Sequence, residues 1–323
     1  MQKVRGEMED GNTEIQQSYN PKSQDKTLIV VVGPTAIGKT ALAISLAQFY
    51  KTEIISADSR QFFKEMNIGT AKPSTEELAS APHHFVDSHS IQTLFSTGDF
   101  EVEALKLMKA LFKKHEVLIM VGGSGLYIDA VCEGLDELPE IDLNIREQLN
   151  QKLANEGIEA IKNQLQELDP IYYEKVDQAN PQRMIRGLEV VLSTGKKLSS
   201  FLTATKKQRP FQIIKIGLNT DRAILYNRIN QRVDLMMAAG QLEEVKSLIP
   251  YRAYNALNTV GYSELFDYLD GKTELTIAVN MIKQNTRRFA KRQLTWFRRD
   301  EDMVWFEPNQ LDQILKYLQK KIQ

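Results

Sequence analysis

Apolar and polar positions alternate along this chain in two rhythms. A short apolar run at Leu28–Val32 is followed by a helical spacing of apolar positions from Thr40 to Tyr50, and then by a second short run at Ile54–Ala57. Short apolar runs that alternate with amphipathic stretches are how a parallel sheet is wired, each helix carrying the chain back to start the next strand. Two more runs, His84–Asp87 and Val117–Val121, are strand candidates, the second preceded by a charged amphipathic helix from about Asp99 to Lys114. The pattern predicts an α/β fold built on a parallel sheet.

Past Pro139 the strand rhythm stops. Helical spacing takes over around Leu143–Glu156, Ile158–Leu168 and Pro181–Leu192. A strand-like run returns at Phe211–Leu218, and from Asp221 onward the pattern reads as wholly helical. The expected organisation is a polar tail over residues 1–26, a core formed by residues 27–138 and 205–323, and a helical insertion over residues 139–204.

Composition narrows this little. The chain has 323 residues, 42% hydrophobic and 26% charged, enough for one large domain or one domain with a sizeable insertion. Its formal net charge of −1 means that any nucleic-acid binding rests on locally concentrated Lys and Arg. The single cysteine, Cys132, cannot close an internal disulfide, which fits a reducing cytoplasm. No apolar run near the start approaches the roughly 18 residues of a membrane span, and residues 1–26 lack a signal-peptide core. A cytoplasmic protein with no membrane attachment is expected, and a monomer.

The strongest chemical signal is Gly33-Pro34-Thr35-Ala36-Ile37-Gly38-Lys39-Thr40, a G-x-x-x-x-G-K-[ST] loop placed between a strand and a helix. Its glycines let backbone N–H groups wrap phosphate oxygens, the helix start adds a positive dipole, Lys39 adds a point charge, and the Thr40 hydroxyl can ligate Mg²⁺. The core is therefore expected to be P-loop NTPase-like and to bind a diphosphate. A nucleotide is the usual ligand of such a loop. Yet nucleoside triphosphatases hold Mg²⁺ with an aspartate ending a second strand, and Val117–Val121 runs instead into Gly122-Gly123-Ser124-Gly125-Leu126-Tyr127. An acid does follow the second strand, in Ser56-Ala57-Asp58-Ser59-Arg60-Gln61. In an open α/β sheet that strand end faces the ligand crevice, where Asp58 could bind metal through water, accept a proton, or merely cap a helix.

These segments, with Met66-Asn67-Ile68-Gly69-Thr70-Ala71-Lys72-Pro73, His83-His84-Phe85-Val86-Asp87, Gln182-Arg183-Met184-Ile185-Arg186-Gly187-Leu188-Glu189, Arg228-Ile229-Asn230-Gln231-Arg232-Val233-Asp234 and Ala290-Lys291-Arg292-Gln293-Leu294-Thr295-Trp296-Phe297, closely resemble the bacterial tRNA dimethylallyltransferases. The resemblance runs from about residue 28 to 299. It implies that the loop holds dimethylallyl diphosphate, with Mg²⁺ as cofactor, and that tRNA is the partner, modified on N6 of the adenosine immediately 3′ of the anticodon in tRNAs reading codons that start with U. It further implies that Asp58 orients the amine and takes its proton, that Thr35 and Lys39 assist departure of the diphosphate, and that Arg228 and Arg232 stand on the diphosphate side. The residues implied to meet tRNA are Asp58, Ser59, Arg60, Gln61, Ser124, Arg146, Gln182, Arg183, Met184, Ile185 and Arg186. Where this chain has Ser124 the family usually has Thr; the hydroxyl is kept and a methyl lost. Because the target base lies in a structured loop, the resemblance also implies base flipping.

Two regions supply the charge that RNA needs. Over residues 281–299 stand Lys283, Arg287, Arg288, Lys291, Arg292, Arg298 and Arg299 with no acid, and on a wheel of about 100° per residue all but Lys283 fall opposite Ile282, Phe289, Ala290, Leu294, Trp296 and Phe297. Arg288 and Arg292 are the candidates taken from this stripe for tRNA contact. The second region is Arg183, Arg186, Lys196, Lys197, Lys206, Lys207 and Arg209. His83, His84 and His89 lack the spacing and cysteine partners of a zinc site, and Asp87 could polarise the site or close a strand. Prenylation of free AMP, ADP or ATP, a small-molecule kinase, and a non-catalytic RNA binder that has kept its P-loop are the competing readings. The first needs neither the insertion nor the basic helix.

Overall fold

The computed structural model describes residues 26–203 and 205–322; the expected tail lies, but for Lys26, outside the described residues. The elements are β1 (Thr27–Val32), α1 (Lys39–Tyr50), β2 (Ile54–Ser56), α2 (Thr75–Ser80), β3 (His83–His84), α3 (Thr97–Leu111), β4 (Val117–Gly122), α4 (Gly125–Glu133), α5 (Leu143–Glu156), α6 (Ile158–Leu168), α7 (Pro170–Lys175), α8 (Pro181–Thr194), β5 (Gln212–Leu218), α9 (Arg222–Ala238), α10 (Gln241–Ser247), α11 (Ser263–Leu269), α12 (Leu275–Phe297), β6 (Val304–Phe306) and α13 (Leu311–Ile322).

Six parallel strands form one sheet in the order β3-β2-β4-β1-β5-β6. Every residue of β1 and β4 is buried, because helices cover both faces. Along β1, Ile29 and Val31 point to the layer holding Leu42 and Leu46 of α1 and Ile314 and Leu318 of α13. Leu28, Val30 and Val32 point the other way, to Phe100 and Met108 of α3 and Ile128 and Val131 of α4. This period-2 division inside an unbroken apolar run is what a two-faced parallel strand requires. Local signals agree: Ser96 and Asp99 form a capping box that starts α3, each side chain bonding the other's backbone N–H.

Helices α5, α6, α7 and α8 share a cluster of their own around Ile161, Leu165, Met184 and Leu188. A further cluster, with Tyr262, Leu265 and Val245, joins α9 to α12 and receives Phe63 and Met66 from the loop after β2.

Two expectations need correction. The strand expected at His84–Asp87 is only His83–His84, because Phe85 and Asp87 take positive φ (60° and 51°) and turn the chain out of the sheet. The portion after Asp221 is not wholly helical: Val304–Phe306 adds an edge strand beside β5, with Ile216 level with Val304.

Candidate active site

The loops after β1, β2 and β4 all leave the carboxyl edge of the sheet and meet in one pocket of about 240 Å³. The loop after β1 gives it a floor of backbone. Gly33 has φ 149°, and a Cβ there would stand 2.7 Å from the Leu218 carbonyl oxygen, so only glycine fits between β1 and β5. Ala36 (φ 63°) and Gly38 (φ 107°) turn the chain in the left-handed region, and α1 starts with no side-chain cap and no acid in its first turn. Its first N–H groups are thus left for an anion.

Lys39 lies half-buried at the pocket, its Nζ donating to the Pro34 carbonyl oxygen at 2.9 Å. Desolvation pulls its pKa from 10.5 down to about 8, against Asp58, which raises it, and with Arg232, which lowers it further. Arg232 donates to Thr35 Oγ1 at 3.4 Å, and Arg228, one turn earlier on α9, to the Ile37 carbonyl oxygen at 3.4 Å. Both arginines therefore brace the phosphate loop, though only Arg232 lines the pocket.

Asp58 lines the pocket beside Ser56 and Gln61. Its Oδ1 accepts the Arg60 N–H at 3.0 Å. Gln61 donates to the carbonyls of Thr70 and Ala71 (3.3 and 3.1 Å), so the loop after β2 is tied to the motif that follows. Ser124 Oγ accepts the Ser59 N–H at 3.0 Å and donates to Ser59 Oγ at 3.1 Å. These are hydroxyl contacts, which Thr would make equally. Burial lowers the pKa of the Arg60 guanidinium, set near Tyr127 and Asp58.

Several further residues complete the site. Lys72 lines the pocket and donates to the Phe63 carbonyl oxygen (2.6 Å) and Asn67 Oδ1 (2.9 Å), and pairs with Asp87. Asp87 is thereby a lysine partner. Glu244 of α10 accepts the N–H groups of Asn67, Ile68 and Gly69 (3.0, 2.7 and 3.1 Å) and the Tyr262 hydroxyl (2.6 Å), which holds the Met66–Pro73 segment in place. Gln293, buried on α12, joins the loops after β1 and β4. Phe289 was expected on the core half of the wheel but is 38% exposed and lines the pocket, because α12 turns that flank to the site. Trp296 is partly buried, its Nε1 donating to Asp129 at 2.8 Å.

His83 lines the pocket too; its Nδ1 meets the Ala81 carbonyl oxygen at 2.8 Å, its Nε2 has no partner among the described residues, and burial lowers its pKa. His84 and His115 share Glu53 (2.6 and 3.2 Å). No group of three or more His, Cys, Asp or Glu suited to a metal occurs among the described residues.

The residues expected to meet RNA separate into kinds. Gln182 and Arg183 are exposed, whereas Met184 and Ile185 are buried in the core of the α5–α8 cluster, so their side chains shape the helix and do not reach its surface. Arg146 and Arg186 both grip the buried Glu189, Arg146 as a bidentate pair with one bond of 2.8 Å and Arg186 at 3.4 Å. On α12, Lys283 pairs with Asp234 (2.6 Å) and Arg287 donates to Asn230 (2.6 Å), whereas Arg288 and Arg292 are exposed without a carboxylate partner among the described residues.

Known proteins resemble this chain in sequence and in fold. A family model described as IPP transferase matches residues 61–300. The chain is 55% identical to the tRNA dimethylallyltransferase of Christiangramia forsetii (91% of this chain, 98% of the relative). It is 48% identical to tRNA dimethylallyltransferase 1 of Bacteroides fragilis (92% and 99%). Among solved structures, the full-length tRNA isopentenylpyrophosphate transferase of Bacillus halodurans superposes with TM-score 0.69 at 34% identity, covering 92% of this chain and 97% of that one. A eukaryotic dimethylallyltransferase captured acting on tRNA superposes with TM-score 0.72 at 27% identity (89% and 75%). No helix among the described residues is long and apolar enough to cross a membrane. With the matched model spanning most of its length and relatives near half-identical end to end, the chain belongs to the IPP transferase family.

Proposed function

We propose that this chain transfers a dimethylallyl group from dimethylallyl diphosphate to N6 of the adenosine immediately 3′ of the anticodon, in cytoplasmic tRNAs reading codons that start with U. One observation carries the chemistry: the uncapped phosphate loop with Lys39 and Arg232 faces Asp58 across a single pocket. An exocyclic adenine amine is a poor nucleophile, so the barrier falls chiefly through stabilising the leaving diphosphate. Lys39, Arg232 and the loop N–H groups are set where charge grows as the allylic C–O bond breaks. The amine lone pair forms the new C–N bond, the electron pair of the broken bond leaves with the diphosphate, and the amine proton passes to Asp58 and on to solvent.

Mg²⁺ fits the donor set. Thr40 lines the pocket, and with few protein carboxylates there the remaining ligands would be diphosphate oxygens and water, the surroundings this ion prefers. Bound there, it would offset charge on the diphosphate.

The α5–α8 unit, residues 139–204, serves in this reading to hold the anticodon arm. Glu189 aims Arg146 and Arg186, and Gln182 and Arg183 are exposed beside them. Arg288 and Arg292 add phosphate contacts from α12. Phe289, with Ala71 and Pro73, gives the pocket an apolar side for the prenyl chain. The test is transfer of label from dimethylallyl diphosphate to an unmodified anticodon stem-loop, with AMP as competing acceptor. Labelled RNA is expected; label only in AMP, or in neither, defeats the reading.

A further inference from the structure

Gln293 is the polar exception on the buried side of α12, whose other buried residues are Ala278, Ile282, Ala290 and Phe297. Burying an amide is costly unless both heteroatoms are hydrogen-bonded. Here both are: Oε1 accepts the Thr35 N–H at 2.9 Å, and Nε2 donates to the Gly123 carbonyl oxygen at 2.9 Å. The orientation is fixed by this pair, since a flipped amide would set N–H against N–H and oxygen against oxygen. The two loops joined follow the neighbouring strands β1 and β4. One is the phosphate cradle and the other carries Ser124. Gly123 has no side chain at the point where the amide nitrogen of Gln293 stands, and Lys39 Nζ lies 3.7 Å from the place its Cβ would take. The amide therefore shares the pocket wall with the lysine ammonium.

We infer that Gln293 is a positioning residue for the transfer step: its amide pins the Thr35 end of the phosphate loop to the turn after β4, and so sets the loop and Lys39 in the shape that receives the diphosphate. The inference rests on the proposed prenyl transfer. Preorganisation explains the cost of the buried amide, because a loop already in place need not be ordered when the donor binds. Neutrality matters as well. A carboxylate of the same shape would keep an acceptor for Thr35 but would lose the bond to Gly123 and set negative charge beside the diphosphate.

The test compares the parent with Gln293→Met, Gln293→Glu and a control, Gln241→Met. Gln241 is also a buried amide, donating to the Gly261 carbonyl oxygen at 3.0 Å, but stands outside the pocket. Binding of inorganic pyrophosphate, donor and stem-loop kinetics, and thermal unfolding are measured for each. Losing two hydrogen bonds should weaken pyrophosphate binding and donor kcat/KM about tenfold in Gln293→Met. The added charge should take Gln293→Glu to about a hundredfold. The KM for the stem-loop stays at the parent value in both, and Gln241→Met lowers Tm alone. Pyrophosphate affinity within about twofold of the parent in the folded Gln293 variants overturns the inference. So does an equal loss of affinity in the control. Should Gln293→Met fail to fold, the isosteric Gln293→Glu gives the answer. A parent that neither binds pyrophosphate nor prenylates RNA sinks the proposed function and this inference with it. A parent that does both, matched by Gln293→Glu, sinks the inference alone.

Discussion

Two walls of one pocket are built in opposite ways. The diphosphate wall, Gly33–Thr40, is a single stretch of eight residues whose shape comes from two glycines and a helix start. Arg232 and Gln293 reach in from α9 and α12 to brace that stretch, and the facing wall draws Asp58, Lys72 and Phe289 from separate parts of the chain. The first works mainly through backbone and is specified locally. The second works through side chains that separate loops and helices bring together. Substitutions should therefore separate the two by what they abolish: chemistry on the facing wall, diphosphate affinity on the loop.

The largest contrast is expected from Asp58→Ala. Turnover in a single-turnover assay should fall about a thousandfold, while pyrophosphate and tRNA binding stay within a few-fold. A comparable loss of pyrophosphate affinity would put Asp58 on the wrong wall. Lys39→Met should do the converse, lowering pyrophosphate affinity by on the order of a hundredfold with tRNA affinity unchanged, as read by calorimetry.

A smaller effect follows from the lysine pKa. With a pKa of about 8, Lys39 is charged at lower pH and neutral above. Diphosphate affinity should thus be full below that point and fall as pH rises through it, about tenfold by one unit above, until donor binding itself raises the pKa. Lys39→Met should flatten the curve; a parent whose affinity holds level across that range contradicts the assignment. Smallest is the RNA side: replacing Arg288 and Arg292 together by Gln should reduce the slope of log affinity against log salt by about 2 and weaken tRNA binding several-fold. An unchanged slope would remove α12 from the interface.

The same contrast explains what could be read in the sequence. Gly33–Thr40 was legible because its residues act through their own backbone, and Asp58 because a strand end locates it. Thr35 and Gln293 stand 258 positions apart, and nothing in the rhythm of α12 marks a glutamine among apolar residues as a bridge. Phe289 misled for a related reason: a wheel divides apolar from polar, but cannot tell a core from the apolar side of a pocket. Glu244 was invisible since three of its partners are backbone N–H groups of a turn and the fourth, Tyr262, is 18 positions away. The edge strand β6 was missed because its three residues are only partly buried at the sheet edge and follow a long helical stretch, unlike the fully buried β2.

The most direct test of the central claim offers ATP and dimethylallyl diphosphate together, with Mg²⁺ and an unmodified anticodon stem-loop, and follows phosphorus species and adenine mass in the same reaction. The account predicts one pyrophosphate released for each adenine that gains a five-carbon unit, with ATP intact. Release of phosphate from ATP while the adenine mass stays unchanged would contradict it.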